Sequence, residues 1–279
     1  MSNLDDEIIV GINRKNNSNN KKAKGKKSKN KKDNKKKRTM TKGAKVLFSV
    51  IGAIVLLALL FSSPLFNIKT IEVEGNSKVS DEKMISISSI QFHTNIFSMK
   101  KREAIEKIKT NPYIEDVKIA RKLPSTVKID VIEREPRYML QFADSYVYIN
   151  NQGYMLEISN EALEVPILIG FTTDLSNIKA GNRINVEDLE KMNMVIKIFE
   201  TVKSNDMGHL VSKIDISNEK NYTIILESEG KKVYLGDCSD LNTRILYLKA
   251  ILEKSAGRSG EIFLNVDLNT QDVYFRPSN

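Results

Sequence analysis

Residues Val46–Phe66 form 21 consecutive positions without a charged side chain, VLFSVIGAIVLLALLFSSPLF. At roughly 1.5 Å per residue such a helix rises about 31 Å, close to the ~30 Å hydrocarbon core of a bilayer. Immediately before it, Arg14–Lys45 carries 16 lysines and arginines against one acid, Asp33. Basic segments stay on the cytoplasmic side, so the pattern predicts an N-terminus inside and everything after Phe66 outside. A cleaved signal peptide fits less well. Its apolar region usually spans roughly 7–15 residues, and small residues precede the cut. Here 45 residues precede a longer run, and Leu60-Phe61-Ser62-Ser63 offers no small-x-small site. A buried core helix is the remaining alternative. The reading is a single-pass anchor over 46–66, behind a cytoplasmic tail over 1–45.

Charge divides unevenly along the chain. Of 44 basic and 35 acidic residues, the first 45 positions hold 16 and 4, which leaves 28 against 31. The outer portion is therefore mildly acidic, and a nucleic-acid-binding reading of it loses its main support. The tail is rich in Lys, Asn and Ser, too polar to offset its ordering entropy, and is expected to be disordered. Anionic lipid attracts such a segment at about 1 kcal/mol per lysine near the surface. A lysine run without interleaved aromatics is weak support for a specific nucleic-acid ligand. Ile8, Ile9, Val10 and Ile12 make a short apolar patch, either a docking peptide or a tolerated end. Cys238 is the single cysteine, so no intramolecular disulfide forms. The 213 residues from Asn67 to Asn279 must fold by apolar burial, and that length suits two small domains.

Residues 67–136 read as a β-α-α-β-β unit. Ile71 and Val73 alternate with Glu72 and Glu74 in a strand ended by Gly75-Asn76. Ser80 is placed to cap a helix carrying Met84, Ile85 and Ile90. Ser98 is placed to cap a second, whose Ala104, Ile105 and Ile108 share a face and which Asn111-Pro112 stops. Val117 and Ile119 start a strand, Leu123-Pro124 turns it, and Val127, Ile129 and Val131 alternate with Lys128 and Asp130. The last two strands form a hairpin.

The runs IKTIEVEGNSKVS, NIFSM and NPYIEDVKIARKLPSTVKIDVIEREP resemble the polypeptide-transport-associated (POTRA) domain of the bacterial division protein FtsQ, called DivIB in Gram-positive bacteria. Gly75 and Pro124 stand where tight turns need them, and Glu133–Pro136 closes the final strand. Over 137–279 the reading continues with a hairpin, Tyr146–Ile149 and Tyr154–Ile158, then VPILIG over Val165–Gly170. A helix from Asn185 to about Lys203 carries Leu189, Met192, Ile196 and Phe199 in one stripe. Strands Val211–Ser217, Tyr222–Glu227 and Lys232–Leu235 follow. Asp240 is placed to cap a helix aligning Leu241, Ile245, Leu248 and Leu252, and strands Glu261–Leu268 and Asp272–Arg276 close the pattern. VYLG before the helix and NVDL near the end resemble the second, β domain of the same family. The fold class is thus α+β: a membrane anchor, a POTRA domain and a larger mixed β/α domain.

No set of reactive groups converges in the sequence. Cys238 lies in GDCSD, whose flanking acids raise rather than lower a thiol pKa. His93 and His209 are isolated and supply neither a catalytic partner nor a zinc set. Asp81/Glu82 and Glu187/Asp188 fall in first helical turns, where carboxylates favour the positive dipole end. No Gly-rich phosphate loop, GxSxG or HExxH occurs. No catalytic residue, metal ligand or cofactor is assigned, and the chain reads as a non-enzyme. A wall-active enzyme with an unrecognised site stays open. So does a POTRA-type chaperone of secreted polypeptides, although such proteins usually carry several POTRA domains or a β-barrel.

Binding surface remains, and a strand edge offers unpaired N–H and C=O groups to another extended segment. Asp272–Arg276 is the best such edge. Tyr274 and Phe275 point to opposite faces, and Arg276 can meet an acid; these residue types anchor many interfaces. The alternative is that Val273 and Phe275 are core and the edge is idle. In the family resembled, the partner FtsB (DivIC) adds a strand here. That implies contact at Val273, Tyr274, Phe275 and Arg276, with Leu268 and Thr270 nearby. The resemblance further implies FtsL-type partners, enrichment at the division septum and an indirect influence on septal peptidoglycan synthesis. The topology is directly checkable: protease added to intact spheroplasts should remove the C-terminal bulk, and protection of that bulk would reverse the orientation.

Overall fold

The computed structural model describes residues 41–278. The apolar patch at Ile8–Ile12 and all but the last five positions of the basic tail lie outside the described residues. Helix α1, Lys42–Phe61, buries no residue and is long and apolar enough to cross a membrane. It ends five residues before Phe66. Pro64 lacks an N–H and instead starts a separate 3₁₀ turn, Pro64–Phe66.

The next elements are β1 (Thr70–Glu74), α2 (Asp81–Ser88), α3 (Lys101–Ile108), β2 (Ile114–Lys122) and β3 (Thr126–Glu133). They make a three-stranded sheet in the order β1-β3-β2, with β1 parallel to β3 and β2 antiparallel to it. Met84, Ala104 and Ile108 from the helices join Ile119, Val127 and Ile129 in one core. Ser80 caps α2 as its position predicts, accepting from the Lys83 N–H at 3.3 Å. Ser98 does not cap α3. Its hydroxyl donates to the Asn95 carbonyl, and the helix opens at Lys100 without a side-chain cap. Ile90 is buried but lies beyond α2, because Ser89 turns the backbone left-handed.

A second sheet has nine strands, numbered β4 to β12 along the chain. The first four are β4 (Tyr138–Phe142), β5 (Ser145–Ile149), β6 (Met155–Ser159) and β7 (Ile167–Ile169). Helix α4 (Val186–Ser204) leads to β8 (Lys213–Asp215), β9 (Tyr222–Leu226) and β10 (Lys231–Gly236). Helix α5 (Leu241–Lys254) then leads to β11 (Gly260–Phe263) and β12 (Tyr274–Pro277). Their order across the sheet is β12-β11-β10-β9-β8-β7-β4-β5-β6. Both helices cross between parallel neighbours, β7 to β8 and β10 to β11.

Strand β4 carries no alternation to betray it, because Tyr138, Met139 and Leu140 are all buried. Tyr138 and Leu140 join Val147, Ile149 and the α4 residues Val195, Ile198 and Val202 in one core. Met139, Tyr148 and Leu156 instead belong to the core of the three-stranded sheet. The stripe on α4 is rotated from the sequence reading. Met192 is fully buried, but Leu189, Ile196 and Phe199 only flank a face led by Val195, Ile198 and Val202. Asp188 is fully buried there, accepting from the N–H and hydroxyl groups of Thr172 and Thr173 at 2.5–3.1 Å.

Polar groups close the seam between the two sheets. The Glu133 carboxylate accepts the N–H groups of Ser77, Lys78 and Val79 at 2.7–3.0 Å. The Arg134 guanidinium donates to the carbonyls of Pro112 and Ile114 and lies 4.2 Å from the Tyr154 ring centroid. Tyr113 donates to Glu157 at 2.6 Å, and Lys78 stands 3.7 Å from the same carboxylate. Arg134→Ala strands two carbonyls and uncovers Tyr154, so it should cost about 2 kcal/mol in a denaturant titration. Arg134→Lys should not recover that loss, because an ammonium cannot reproduce the planar fork.

Candidate functional site

Strand β12 is held by β11, which is held by β10, so the α5 crossover fixes the end of the sheet. Leu241, Ile245 and Leu248 bury one side of α5 and fasten it to the core. Asp240 occupies the N-cap position without making a side-chain cap. Arg244, nearly buried, donates instead to the Ser239 and Val266 carbonyls at 2.7 and 3.1 Å. That contact ties the start of α5 to the segment leading into the final turn. At Gly260 a Cβ would collide with the Arg276 carbonyl, so only glycine lets β12 approach so closely.

The register is Gly260↔Pro277, Glu261↔Arg276, Ile262↔Phe275 and Phe263↔Tyr274. One step further, the Ser278 N–H donates to the Ser259 carbonyl at 2.9 Å. Antiparallel ladders alternate inward and outward pairs. Tyr274 and Arg276 therefore turn their backbone groups toward β11, and Phe275 turns its N–H and C=O to the open side. Val273 shares that outward parity, and Pro277 offers a carbonyl alone. Among the described residues no strand pairs with the far side of β12.

Side chains divide by the same alternation. Val273 and Phe275 pack against the core, and the Arg258 guanidinium lies 5.4 Å from the Phe275 ring centroid. On the other face Tyr234, Phe263 and Tyr274 stack across three strands, with centroids 4.9 and 4.7 Å apart and planes within 19°. Arg276 covers Phe263 at 4.6 Å, and Lys232 stands 5.1 Å from the Tyr234 centroid. Glu261 accepts from the Tyr234 hydroxyl at 2.8 Å and from the Arg276 guanidinium. Arg276 first, and Tyr234 after it, hold the Glu261 carboxyl below the usual carboxylate range. Tyr274 is the open end of the stack, 49 % exposed. The arrangement suits an extended segment that adds main-chain hydrogen bonds at the edge and rests a side chain on the terminal ring.

Val273, Tyr274, Phe275 and Arg276 thus share the edge segment that the sequence singles out. Leu268 and Thr270 do not join it. They sit in the turn before it, where the Asp267 carbonyl accepts the N–H groups of Thr270 and Gln271. Lys232, Tyr234, Glu261 and Phe263 belong to the same surface but escaped the sequence reading. Alternation places each on the solvent face, yet only the cross-strand register brings them together.

The comparisons bear on the same regions. A family model described as "POTRA domain, FtsQ-type" matches residues 66–134, and one described as "FtsQ/DivIB, C-terminal related" matches 138–269. The second match stops before β12. Cell division protein DivIB of Clostridium botulinum strain Hall is 31% identical over 241 residues, spanning 86% of this chain and 93% of that protein. The DivIB of Clostridium tetani is 26% identical, spanning 82% and 86%. Cell division protein FtsQ of Corynebacterium glutamicum is 23% identical, spanning 77% and 93%.

Cys238 is buried away from this surface, with its thiol 3.8 Å from the Gly236 carbonyl. Burial, and then neighbouring Asp237, push the thiol up to about 12 from 9.0. The unfolded chain releases that proton first. Stability from the thiol is therefore complete below about pH 8.5 and declines as pH rises toward the folded value. Iodoacetamide at pH 8 should modify Cys238 slowly until denaturant is added; rapid modification of the folded protein would refute the buried, protonated thiol.

Proposed function

From the premise that this chain belongs to the FtsQ/DivIB family of bacterial cell division proteins, we propose that it is a non-enzymatic scaffold of the division machinery. In this reading α1 is a single-pass anchor with the lysine-rich tail in the cytoplasm against anionic lipid. Both sheets then stand on the outer face of the membrane, enriched at the septum. The partners are DivIC/FtsB-like and FtsL-like single-pass proteins, and through them the chain positions or regulates septal peptidoglycan synthesis. Anchoring every component at one membrane surface raises their effective concentration without any new contact.

The observation that carries the proposal is the open side of β12, where Phe275 and Val273 turn backbone groups outward beside the exposed ring of Tyr274. Docking by strand addition needs little from individual side chains of the edge strand itself. It needs a straight, unpaired ladder and one or two anchors. Phe275 and Val273 are both core contacts, so substituting either would confound binding with folding. Tyr274→Ala is cleaner, because it removes an exposed ring.

Full-length protein in nanodiscs, titrated with the outer segment of a DivIC-like protein, should bind it with no catalytic turnover. Tyr274→Ala should weaken binding about tenfold, or ~1.4 kcal/mol, while leaving the thermal melt in place. Tyr247→Ala, an exposed tyrosine on α5, is the control expected to bind normally. Unchanged affinity in Tyr274→Ala would move the partner to another surface.

A further inference from the structure

The end of α1 is embedded in an aromatic cluster that the scaffold reading does not use. Phe61, Phe66 and Phe97 lie with their ring centroids 5.2–5.5 Å apart. The loop bearing Phe97 is fastened to the helix end by several bonds. The Asn95 amide donates to the Phe61 carbonyl at 2.7 Å, satisfying one of the acceptors a helix leaves open at its C-terminus. The Ile96 N–H donates to the Phe66 carbonyl at 2.8 Å, and the Ile68 N–H to the Thr94 carbonyl at 2.9 Å. This loop therefore continues the helix end rather than swinging free of it. Despite the packing, apolar surface stays uncovered: Leu65 is 54 % exposed and Phe97 41 %.

The length of α1 says what covers that surface. Its first four residues include Lys42 and Lys45, so the charge-free part runs from Val46 to Phe61. Those residues rise about 24 Å at roughly 1.5 Å each, some 6 Å short of a ~30 Å hydrocarbon core. A short span draws flanking residues into the boundary region or thins the bilayer. The next apolar residues after Phe61 are Leu65 and Phe66, and the rings of Phe66 and Phe97 lie 5.5 and 5.2 Å from that of Phe61. Basic residues follow both apolar segments along the chain, exposed Lys69 after Phe66 and exposed Lys101 after Phe97, and Arg121 donates to the Ile96 and Met99 carbonyls of the same loop. Apolar groups flanked by cations match the boundary between acyl chains and anionic headgroups.

We propose that Leu65 and Phe97 form an interfacial wedge, seated in the lipid headgroup–acyl boundary at the C-terminal end of α1. The wedge completes the short span and holds the three-stranded sheet against the bilayer, so that the whole outer body has a fixed height and tilt. This rests on the anchor reading of α1.

The chain has no tryptophan, so a single introduced one reports alone. Full-length Leu57→Trp, Leu65→Trp, Phe97→Trp and Leu246→Trp proteins would be reconstituted into phosphatidylcholine–phosphatidylglycerol vesicles, with and without chain-brominated lipid. Positions 65 and 97 should lose several-fold of their emission to brominated lipid and resist aqueous iodide, as position 57 does. Position 246, exposed on α5, should behave in the opposite way. Iodide access at 65 or 97 while 57 is quenched by lipid would overturn the wedge and leave the anchor standing. Lack of lipid quenching at 57 would remove the anchor itself, and the wedge with it.

Discussion

Strands β4 to β6 bury both of their faces, and the arrangement of the two sheets follows from that. Tyr138, Leu140, Val147 and Ile149 face α4, while Met139, Tyr148 and Leu156 close the core of the three-stranded sheet. A fully buried apolar side chain contributes about 1.5–3 kcal/mol relative to an exposed one. Several such residues on the seam make the two sheets parts of one body rather than beads on a linker. Most two-domain chains meet through smaller and more polar surfaces, and relative motion is their default. Here the wall of one core is the reverse side of another.

The polar seam adds geometry to that burial. Glu133 and Arg134 lie in the signature that closes β3, and each reaches a different set of backbone groups. The carboxylate gathers three N–H groups after β1, and the guanidinium takes two carbonyls before and within β2. Charged partners make such bonds shorter and stronger than neutral ones. A cleft of about 490 Å³ opens at this seam, lined among others by Tyr113, Glu133 and Arg134. Of the polar groups that face it, Glu133 fastens the loop after β1 to the end of β3, while Tyr113 and Lys78 reach across the joint to Glu157. Their chemistry is structural.

On the proposed reading, a single outer body changes how an edge strand at one end of the sheet works. If the body is fixed to the membrane by α1 and oriented by the loop around Phe97, β12 stands at a set height and direction. A partner anchored in the same bilayer then meets the edge with little orientational search. The stacked row of Tyr234, Phe263 and Tyr274, with Arg276 and Glu261 paired beside it, ties β12 to β11 and β10. Pro277, with no N–H to give, limits how far such pairing runs.

Periodicity and composition made much of this legible. The apolar helix, the alternation of Val127, Ile129 and Val131 and the cap at Ser80 all express local rules, and each is found in place. Local rules failed where a residue answers to two neighbours at once. Strand β4 hid because burial on both faces erases alternation, and α4 turns to the core a face led by Val195, Ile198 and Val202, with Asp188 buried against Thr172 and Thr173. Ser98 was spent on Asn95 rather than on α3. The aromatic row joins residues far apart in sequence, and the carbonyls held by Arg134 belong to Pro112 and Ile114, where β2 begins. Sequence by itself determined most of the segments that form elements and where an apolar span begins. Tertiary structure alone decided register, which face of each element is buried, and hence which backbone groups remain open, because those depend on contacts between distant parts of the chain.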